Sequence, residues 1–591
     1  MTDENTKSTT ETSDELERMR HSFAHVLAQA ALRLYPDTKL GIGPAVENGF
    51  YYELEIPDQL KEEDILPKLE KEMKEIIEEE QPITQVMIAR DAAFDMLHQQ
   101  GQIYKTELLQ EIPDEEISFF KTGEEFIDLC RGPHVNHTGR LGAFQLTKLE
   151  RVHWKNDKDR PMLYKISGVA FKTEEELKEF FREEVEKQEK EHRVIGPKRD
   201  LFSFQELTGP GLPIWLEEGT KIKKLLIDHI RKLREKEGFV EVWTPNIAKV
   251  DLFKQTGHFE FYQDQDIRPF PINKELYMLR PMATPSHIEV FRTKRRGYKN
   301  LPLKFFEFAR IYREEEAKKL DGMVRTREFT QDAAHIFTDE ESAVEQVQEL
   351  LSFTTKVLKS FGLKEYNLQF SRRDNSKMSD YLGSEETWKQ SENILIKALE
   401  GSKLVAREAV GEADFYGPKI DFQIKDIFGK DWQLSTIHAD LLVPNRCKLT
   451  YTDKNSKEST PVLIHHSLIG SLERFIALLL ENYSGALPLW LAPTQAVILP
   501  ISDDFKPYSQ TVFKKLKELG IRSKVDDRDE SLQSRIRQAQ LHEIPYMIVL
   551  GKQEEVSEVI SVRPRSGEDL GVMKVDEFYD KFKEELLGEE N

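Results

Sequence analysis

The most apolar stretch of this chain, Leu487–Ile501, is broken by Pro488, Pro493 and Pro500. No run of about 18 uncharged apolar residues occurs, so a membrane span is not expected. The small residues and prolines of Ser484–Pro493 instead mark a joint between folded parts. The chain has 591 residues, too many for one core, and domains of roughly 100–200 residues imply three to five of them.

Charge density divides the rest. Residues 1–15 are polar, acidic and free of apolar periodicity, which predicts a disordered tail. Helical spacing begins at Leu16 and continues through Met19, Phe23, Val26, Leu27, Ala30 and Leu34. Turn residues followed by aromatics in Gly41–Tyr52 suit loop and strand, and Glu62–Glu80 predicts a highly charged helix. A second charge-dense helix, residues 174–192, predicts a solvated spacer. Residues 193–485 change to strand-like runs such as Phe239–Thr244, Phe305–Arg310 and Ile420–Ile424. Beyond the prolines, Ala496–Pro500, Ser509–Leu519, Arg522–Val525, Ser531–Gln540 and Tyr546–Leu550 alternate strand and helix, which predicts a mostly parallel sheet. The fold class is therefore multidomain α/β (α+β).

Lys and Arg number 85 against 106 Asp and Glu, a net charge of −21. Bulk positive charge therefore does not hold a nucleic acid here, although local basic grooves remain open. DNA is not an expected partner. Two cysteines, Cys130 and Cys447, cannot build a disulfide framework, and the N-terminus lacks a secretory signal. A cytoplasmic enzyme is expected.

His21 and His25, at i and i+4 on a helix, project from one face. Farther on, Asp128-Leu-Cys130-Arg-Gly-Pro-His134 adds a thiol and a third imidazole, a set suited to zinc or to acid–base chemistry. His21-Ser-Phe-Ala-His25, Gly49-Phe-Tyr-Tyr52 and this Asp128–His134 segment resemble the editing domain of the threonyl-tRNA synthetases. The resemblance implies an N-terminal α+β domain, residues 16–173, that hydrolyses mischarged seryl-tRNA. It assigns His21, His25, Lys105, Asp128, Cys130 and His134 to the site, acting through a positioned water without a required metal.

No Gly-rich Walker loop is present, so a P-loop ATPase is not expected. Arginines recur instead: Arg313 with Glu315, Arg325 ahead of Phe329 and Gln331, and Arg474 on a predicted helix. This series resembles the three signature motifs of class II aminoacyl-tRNA synthetases. The resemblance implies an antiparallel-sheet catalytic core at 193–485. Gly238–Pro245 resembles motif 1, whose proline lies at a homodimer interface. Arg313, Glu315, Arg325, Phe329, Gln433, Thr436, Ser471 and Arg474 are implied to bind ATP, supplied with Mg2+. Arg313, Arg474 and Lys419 are implied to be catalytic, and Gln331, Tyr416 and His438 to bind the amino acid.

The resemblance breaks at the family's zinc ligands, one Cys and two His. His335 and His465 occupy the His positions, but Thr284 stands at the Cys position. Ala333 replaces an expected Asp, His438 an expected Gln, and Ser286 and Glu328 expected glycines. A neutral hydroxyl is a poor zinc ligand beside a thiolate, so a metal-free pocket is expected and the amino-acid preference is left open.

Residues 486–591 resemble an α/β anticodon-binding domain, with Arg528, Asp529 and Arg563 where the family contacts tRNA bases. The small ubiquitin-like domain that opens many bacterial members of the resembled family is expected to be missing, because the sequence starts directly at the editing-like segment. The implied function is ATP-dependent charging of tRNA(Thr) with threonine, with editing. The alternative is a synthetase-derived paralogue acting mainly as a tRNA deacylase, or charging a different amino acid.

Overall fold

The computed structural model describes residues 4–56, 62–261, 268–567 and 569–590. It divides into two compact units, 1–186 and 187–591.

In the first unit the helix Glu4–Leu34 lies on a five-stranded sheet. Its stripe of Met19, Phe23, Val26, Leu27 and Ala30 is buried with Phe50, Tyr52, Leu54, Phe144 and Ile166 of the sheet and with the helix Glu62–Glu78. Each large apolar side chain so buried contributes about 1.5–3 kcal/mol. The helix already begins at Glu4, inside the segment expected as a disordered tail. Residues 4–15 contain no Gly or Pro, and acidic residues suit a helix N-terminus. Residues 1–3 lie outside the described part. A separate three-stranded sheet, Ile83–Ala89, Glu116–Thr122 and Phe126–Leu129, carries Asp128 and delivers Cys130 just past its last strand. The helix Glu174–Lys190 follows, with Leu177 as its one buried residue among those described.

The second unit is built on an eight-stranded sheet. Its strands lie in the order Val240–Glu241, Leu303–Tyr312, Glu328–Thr338, Val462–Ser467, Asp431–Asp440, Lys419–Lys425, Asn367–Arg372 and Arg407–Val410. The inner pairings are antiparallel and the two outermost are parallel. The helices Glu217–Lys236, Glu340–Ser360, Glu385–Ser402 and Leu472–Asn482 share one apolar core with the sheet. The strand expected over Phe239–Thr244 shrinks to Val240–Glu241. Thr244 turns away to hydrogen-bond the Glu307 carboxylate, with Oγ1 donating at 2.7 Å.

The C-terminal sheet runs Ser523–Val525, Ala496–Pro500, Tyr546–Leu550, Ile560–Pro564 and Gly571–Met573. The first two pairings are parallel and the last two antiparallel. The mostly parallel expectation therefore holds only for the first three strands. Ile560–Pro564 and Gly571–Met573 fold back as a hairpin, which needs no crossover helix.

Candidate functional site

One long strand shows how the second unit builds a cavity. In a strand, successive side chains face opposite ways. Phe329, Gln331, Ala333 and His335 of Glu328–Thr338 line a cavity of about 350 Å³. The alternate residues Thr330 and Asp332 face away from it into buried ion pairs. Asp332 receives Arg234 at 2.8 Å, and the Thr330 amide donates to Glu473, which also holds Lys223 at 2.8 Å. The neighbouring strands bring Gln433, Thr436 and His438, Lys419, and His465 to the same cavity. Arg313 and Glu315 enter on the loop after Leu303–Tyr312, and Tyr416 and Asp414 on the turn before Lys419. Thr284 starts the helix Thr284–Arg292.

Arg474 comes from the helix Leu472–Asn482, whose N-cap Ser471 accepts from the Arg474 amide at 3.1 Å. The preceding Gly470 has φ of 67°, and a Cβ there would lie 2.5 Å from the Leu434 carbonyl oxygen. Only glycine lets the helix start so close to the sheet. The cavity therefore gathers every residue expected to bind ATP or the amino acid: Arg313, Glu315, Arg325, Phe329, Gln331, Tyr416, Lys419, Gln433, Thr436, His438, Ser471 and Arg474.

The cavity is strongly cationic at one end. The Arg313 guanidinium lies 5.4 Å from the Phe329 ring centre, and that of Arg474 lies 5.2 Å from the Trp432 ring centre. Arg474 Nε donates to the Val324 carbonyl at 2.8 Å and Nη1 to that of Gln433. Burial, with help from Arg313 and Arg325, lowers Arg474 to about 10, so it stays charged at neutral pH. Arg325 donates to Glu315 at 3.0 Å. Burial works against the Lys419 ammonium, but Asp414 and Asp421 outweigh it and raise its proton affinity. Asp421 in turn accepts from Gln433 at 2.9 Å and Thr436 at 2.8 Å. Fixed positive charge of this kind stabilises charge developing on a phosphoryl group.

The opposite end holds imidazoles. Thr284 Oγ1 is 2.8 Å from His335 Nε2 and 3.2 Å from His465 Nδ1. Tetrahedral zinc with bonds of about 2.0–2.2 Å spreads its N and O ligands roughly 3.3–3.5 Å apart. The hydroxyl is thus closed onto His335 by a direct hydrogen bond. Among the described residues, the His, Cys and carboxylate groups of this cavity form no set of three converging ligand atoms. Cys447 is buried elsewhere, near the Gln255 carbonyl at 3.9 Å. These residues do not fit the family's zinc. The sequence reading missed four groups that orient them. His287 Nδ1 meets His335 Nδ1 at 2.8 Å, and Glu307 meets His287 Nε2 at 3.3 Å. Asp440 meets His465 Nε2 at 2.9 Å, and Asp414 meets His438 Nε2 at 3.3 Å. Burial pushes His438 down to about 3, leaving it neutral. His287 shares the helix of Thr284 and Asp414 stands on the turn before Lys419, while strand pairing brings in Glu307 and Asp440.

In the first unit, His21, His25, Cys130 and His134 bring one ligand atom each within 4.8 Å of one another. Cys130 Sγ lies 3.3 Å from His21 Nε2 and 3.2 Å from His134 Nε2. Ser22 Oγ donates to the Arg18 carbonyl at 2.8 Å, so at 3.1 Å it accepts from His134 Nδ1. His134 Nε2 is then the bare nitrogen facing the thiol. Burial raises Cys130 to about 11 and holds His21, His25 and His134 below the usual histidine range. The cluster is therefore neutral at pH 7. Its charge sits in Asp128, which pairs with Lys105 at 2.7 Å and accepts from Tyr52 Oη. Tyr52 belonged to a quoted motif, but its role was not legible. This donor set has the chemistry to hold a metal ion or to orient a water.

The residues expected at the anticodon are not brought together: Arg528 and Asp529 follow the edge strand Ser523–Val525, and Arg563 lies on the inner strand Ile560–Pro564 opposite Met547. Arg528 is forked onto Asp526 at 2.8 and 2.9 Å, and Asp529 is exposed. The neighbouring Arg565 is occupied structurally, donating to the Leu487 carbonyl at 2.8 Å.

Residues 270–483 match the tRNA synthetase class II core domain (G, H, P, S and T). Residues 495–585 match an anticodon binding domain, and 117–167 the threonyl and alanyl tRNA synthetase second additional domain. A threonine–tRNA ligase of Aquifex aeolicus is 40% identical over 582 residues, covering 98% of this chain and 90% of the relative. One from Thermus thermophilus is 40% identical over 575 residues, covering 95% and 87%. The crystal structure of the RNA binding domain of threonyl-tRNA synthetase from Cryptosporidium parvum Iowa II matches at 32% identity and a TM-score of 0.63, covering 67% of this chain and 98% of that one. No helix among the described residues is long and apolar enough to cross a membrane. With its class II core and near full-length identity, the chain belongs to the threonine–tRNA ligase family of class II aminoacyl-tRNA synthetases.

Proposed function

We propose that this protein joins threonine to tRNA(Thr) through a threonyl-adenylate, and that its first unit hydrolyses seryl-tRNA made in error. The observation that carries the reading is the convergence of Arg313, Arg474 and Lys419 on one cavity that ends in a polar, histidine-lined recess. Amino-acid activation moves the carboxylate oxygen of the amino acid onto the α-phosphorus of ATP and releases pyrophosphate. Arg313 and Lys419 stabilise the charge that develops on the transferred phosphoryl group. Phe329 and the Arg474 guanidinium offer flat faces for adenine, and Gln433 and Thr436 offer polar contacts to the ribose. Glu315 accepts from the adenine amino group and Ser471 fixes the start of the Arg474 helix. Gln331, Tyr416 and His438 hold the amino acid. Mg2+ accompanies ATP and shields its phosphates.

In the first unit, His21, His25, Cys130 and His134 position the attacking water, and the Lys105–Asp128 pair meets the charged end of the aminoacyl ester. Arg528, Asp529 and Arg563 contact anticodon bases, and the segment around Pro245 joins two chains into a homodimer acting in the cytoplasm.

The test is ATP–pyrophosphate exchange with each of the twenty amino acids. Threonine should support it, and Arg313→Ala and Arg474→Ala should each lower it by about 10²–10³-fold or more. Exchange with another amino acid alone would replace threonine in this reading. Near-normal exchange in both arginine variants would end it.

A further inference from the structure

The proton count in the histidine recess does not close. Asp440 Oδ1 accepts from the Leu442 and Val443 amides at 2.8 and 2.9 Å, so Asp440 is an acceptor and His465 Nε2 must carry the hydrogen between them. At the other end, Glu307 accepts from Arg280 at 2.9 Å and from Thr244 Oγ1 at 2.7 Å. It therefore also accepts from His287 Nε2. That leaves His287 Nδ1 bare, so His335 Nδ1 donates to it and His335 Nε2 is bare in turn. Thr284 Oγ1 thus stands between two bare nitrogens, His335 Nε2 and His465 Nδ1, with one hydrogen to give. The shorter contact, 2.8 Å, takes that hydrogen. His465 Nδ1 is left as an acceptor without a donor. His438 differs: Nε2 faces Asp414, and Nδ1 is closed off from the cavity as well as from any hydrogen-bond partner. Both imidazoles line the cavity, 5.7 Å apart between ring centres, and each ring lies tilted against that of Tyr416, 5.1 Å between centres.

We propose that the carboxylate-backed His465 imidazole replaces a metal ion as the amino-acid selector. His465 Nδ1 accepts a hydrogen from the hydroxyl of a β-hydroxy-α-amino acid. The proposal deepens the reading above and rests on it for the identity of the substrate. Buried acceptors without donors are costly, so a side chain that fills the recess with a methyl group in place of the hydroxyl leaves His465 Nδ1 unpaired. A site built to pair a substrate hydroxyl rejects the analogue that lacks it far more strongly than an apolar pocket does. Thr284 is a positioning residue here, since its single hydrogen decides which nitrogen stays bare.

Two measurements on the full chain test this. In a Cys130→Ala, His21→Ala background, which dismantles the other donor cluster, protein from zinc-supplemented medium should carry less than about 0.2 zinc per chain. Adding Thr284→Cys should raise that figure by restoring a thiolate ligand. Dissociation constants for threonine and valine, read from thermal shifts over a concentration series, should favour threonine in the zinc-free protein. His465→Leu should cut that preference at least about tenfold, and His465→Asn, whose amide oxygen can stand in for Nδ1, should keep part of it. About one zinc per chain surviving dialysis against a chelator in the Cys130→Ala, His21→Ala protein overturns the inference. So does a His465→Leu protein that binds threonine over valine as well as wild type. Threonine-dependent exchange in a zinc-loaded protein would keep the proposed function and sink this inference alone. Zinc-free protein that selects threonine but supports no exchange would keep the inference and sink the function.

Discussion

Arg234 is fully buried beneath the catalytic strand and donates to both Asp332 carboxylate oxygens, at 2.8 and 3.1 Å, and to His466 Nδ1 at 2.7 Å. Asp332 also accepts from the Leu468 amide at 2.7 Å. Arg234→Met preserves volume but strands a carboxylate in the interior, so it should cost about 3–5 kcal/mol. A unit as long as 187–591 loses roughly 1–2 °C per kcal/mol, extrapolated from 2–4 °C for 150–250 residues. Calorimetry should therefore show its melting transition falling by about 3–10 °C. Adding Asp332→Asn removes the stranded charge while keeping an acceptor for the Leu468 amide. The double variant should therefore be more stable than Arg234→Met, with a remaining cost of about 1–3 kcal/mol. A single variant within about 1 kcal/mol of wild type, or a double variant less stable than the single, would refute the claim that charge compensation holds this layer together.

Cys130→Ala and His21→Ala should leave charging intact and let seryl-tRNA accumulate, measured by deacylation of purified seryl-tRNA; wild-type protein unable to deacylate it would mean the cluster has been misread. Because Cys130 titrates near 11, deacylation should show no inflection at pH 8–9, where an unperturbed thiol ionises near 8.5. Burial holds His258, His287, His335, His438 and His466 below 6.5, with His258 and His438 near 3. Below pH 6.5 the unfolded chain therefore binds more protons than the folded one. Stability should be flat above neutrality and fall as pH drops from 6.5 to 5, by up to about 2 kcal/mol for each fully depressed histidine. A melting temperature unchanged between pH 7 and pH 5 would contradict this. Gly470→Ala should cost about 1–3 kcal/mol from backbone strain at positive φ and slow pyrophosphate exchange, because the Arg474 helix must move off Leu434; an unchanged rate and melting temperature would show that the close approach is not needed.

Local pattern sufficed where the chemistry is local. The apolar stripe from Met19 to Ala30 is a period that only one face of a helix can bury, and it is buried as read. His21 and His25 share that helix, Arg474 stands on the helix expected for it, and Arg313 lies just past the strand expected to present it. The length of the first helix was misread, because weakly helical polar residues carry no period to follow. The hairpin that turns the last sheet half antiparallel has no distinguishing period either. The recess around Thr284 was beyond sequence reasoning for a different reason. Its logic is a chain of single hydrogens running from Glu307 to Asp440 through residues contributed by four strands and a helix. Resemblance to the family could name the substituted residue. Only antiparallel pairing, which sets His335 opposite His465 and His465 opposite His438, decides which nitrogen is left without a hydrogen.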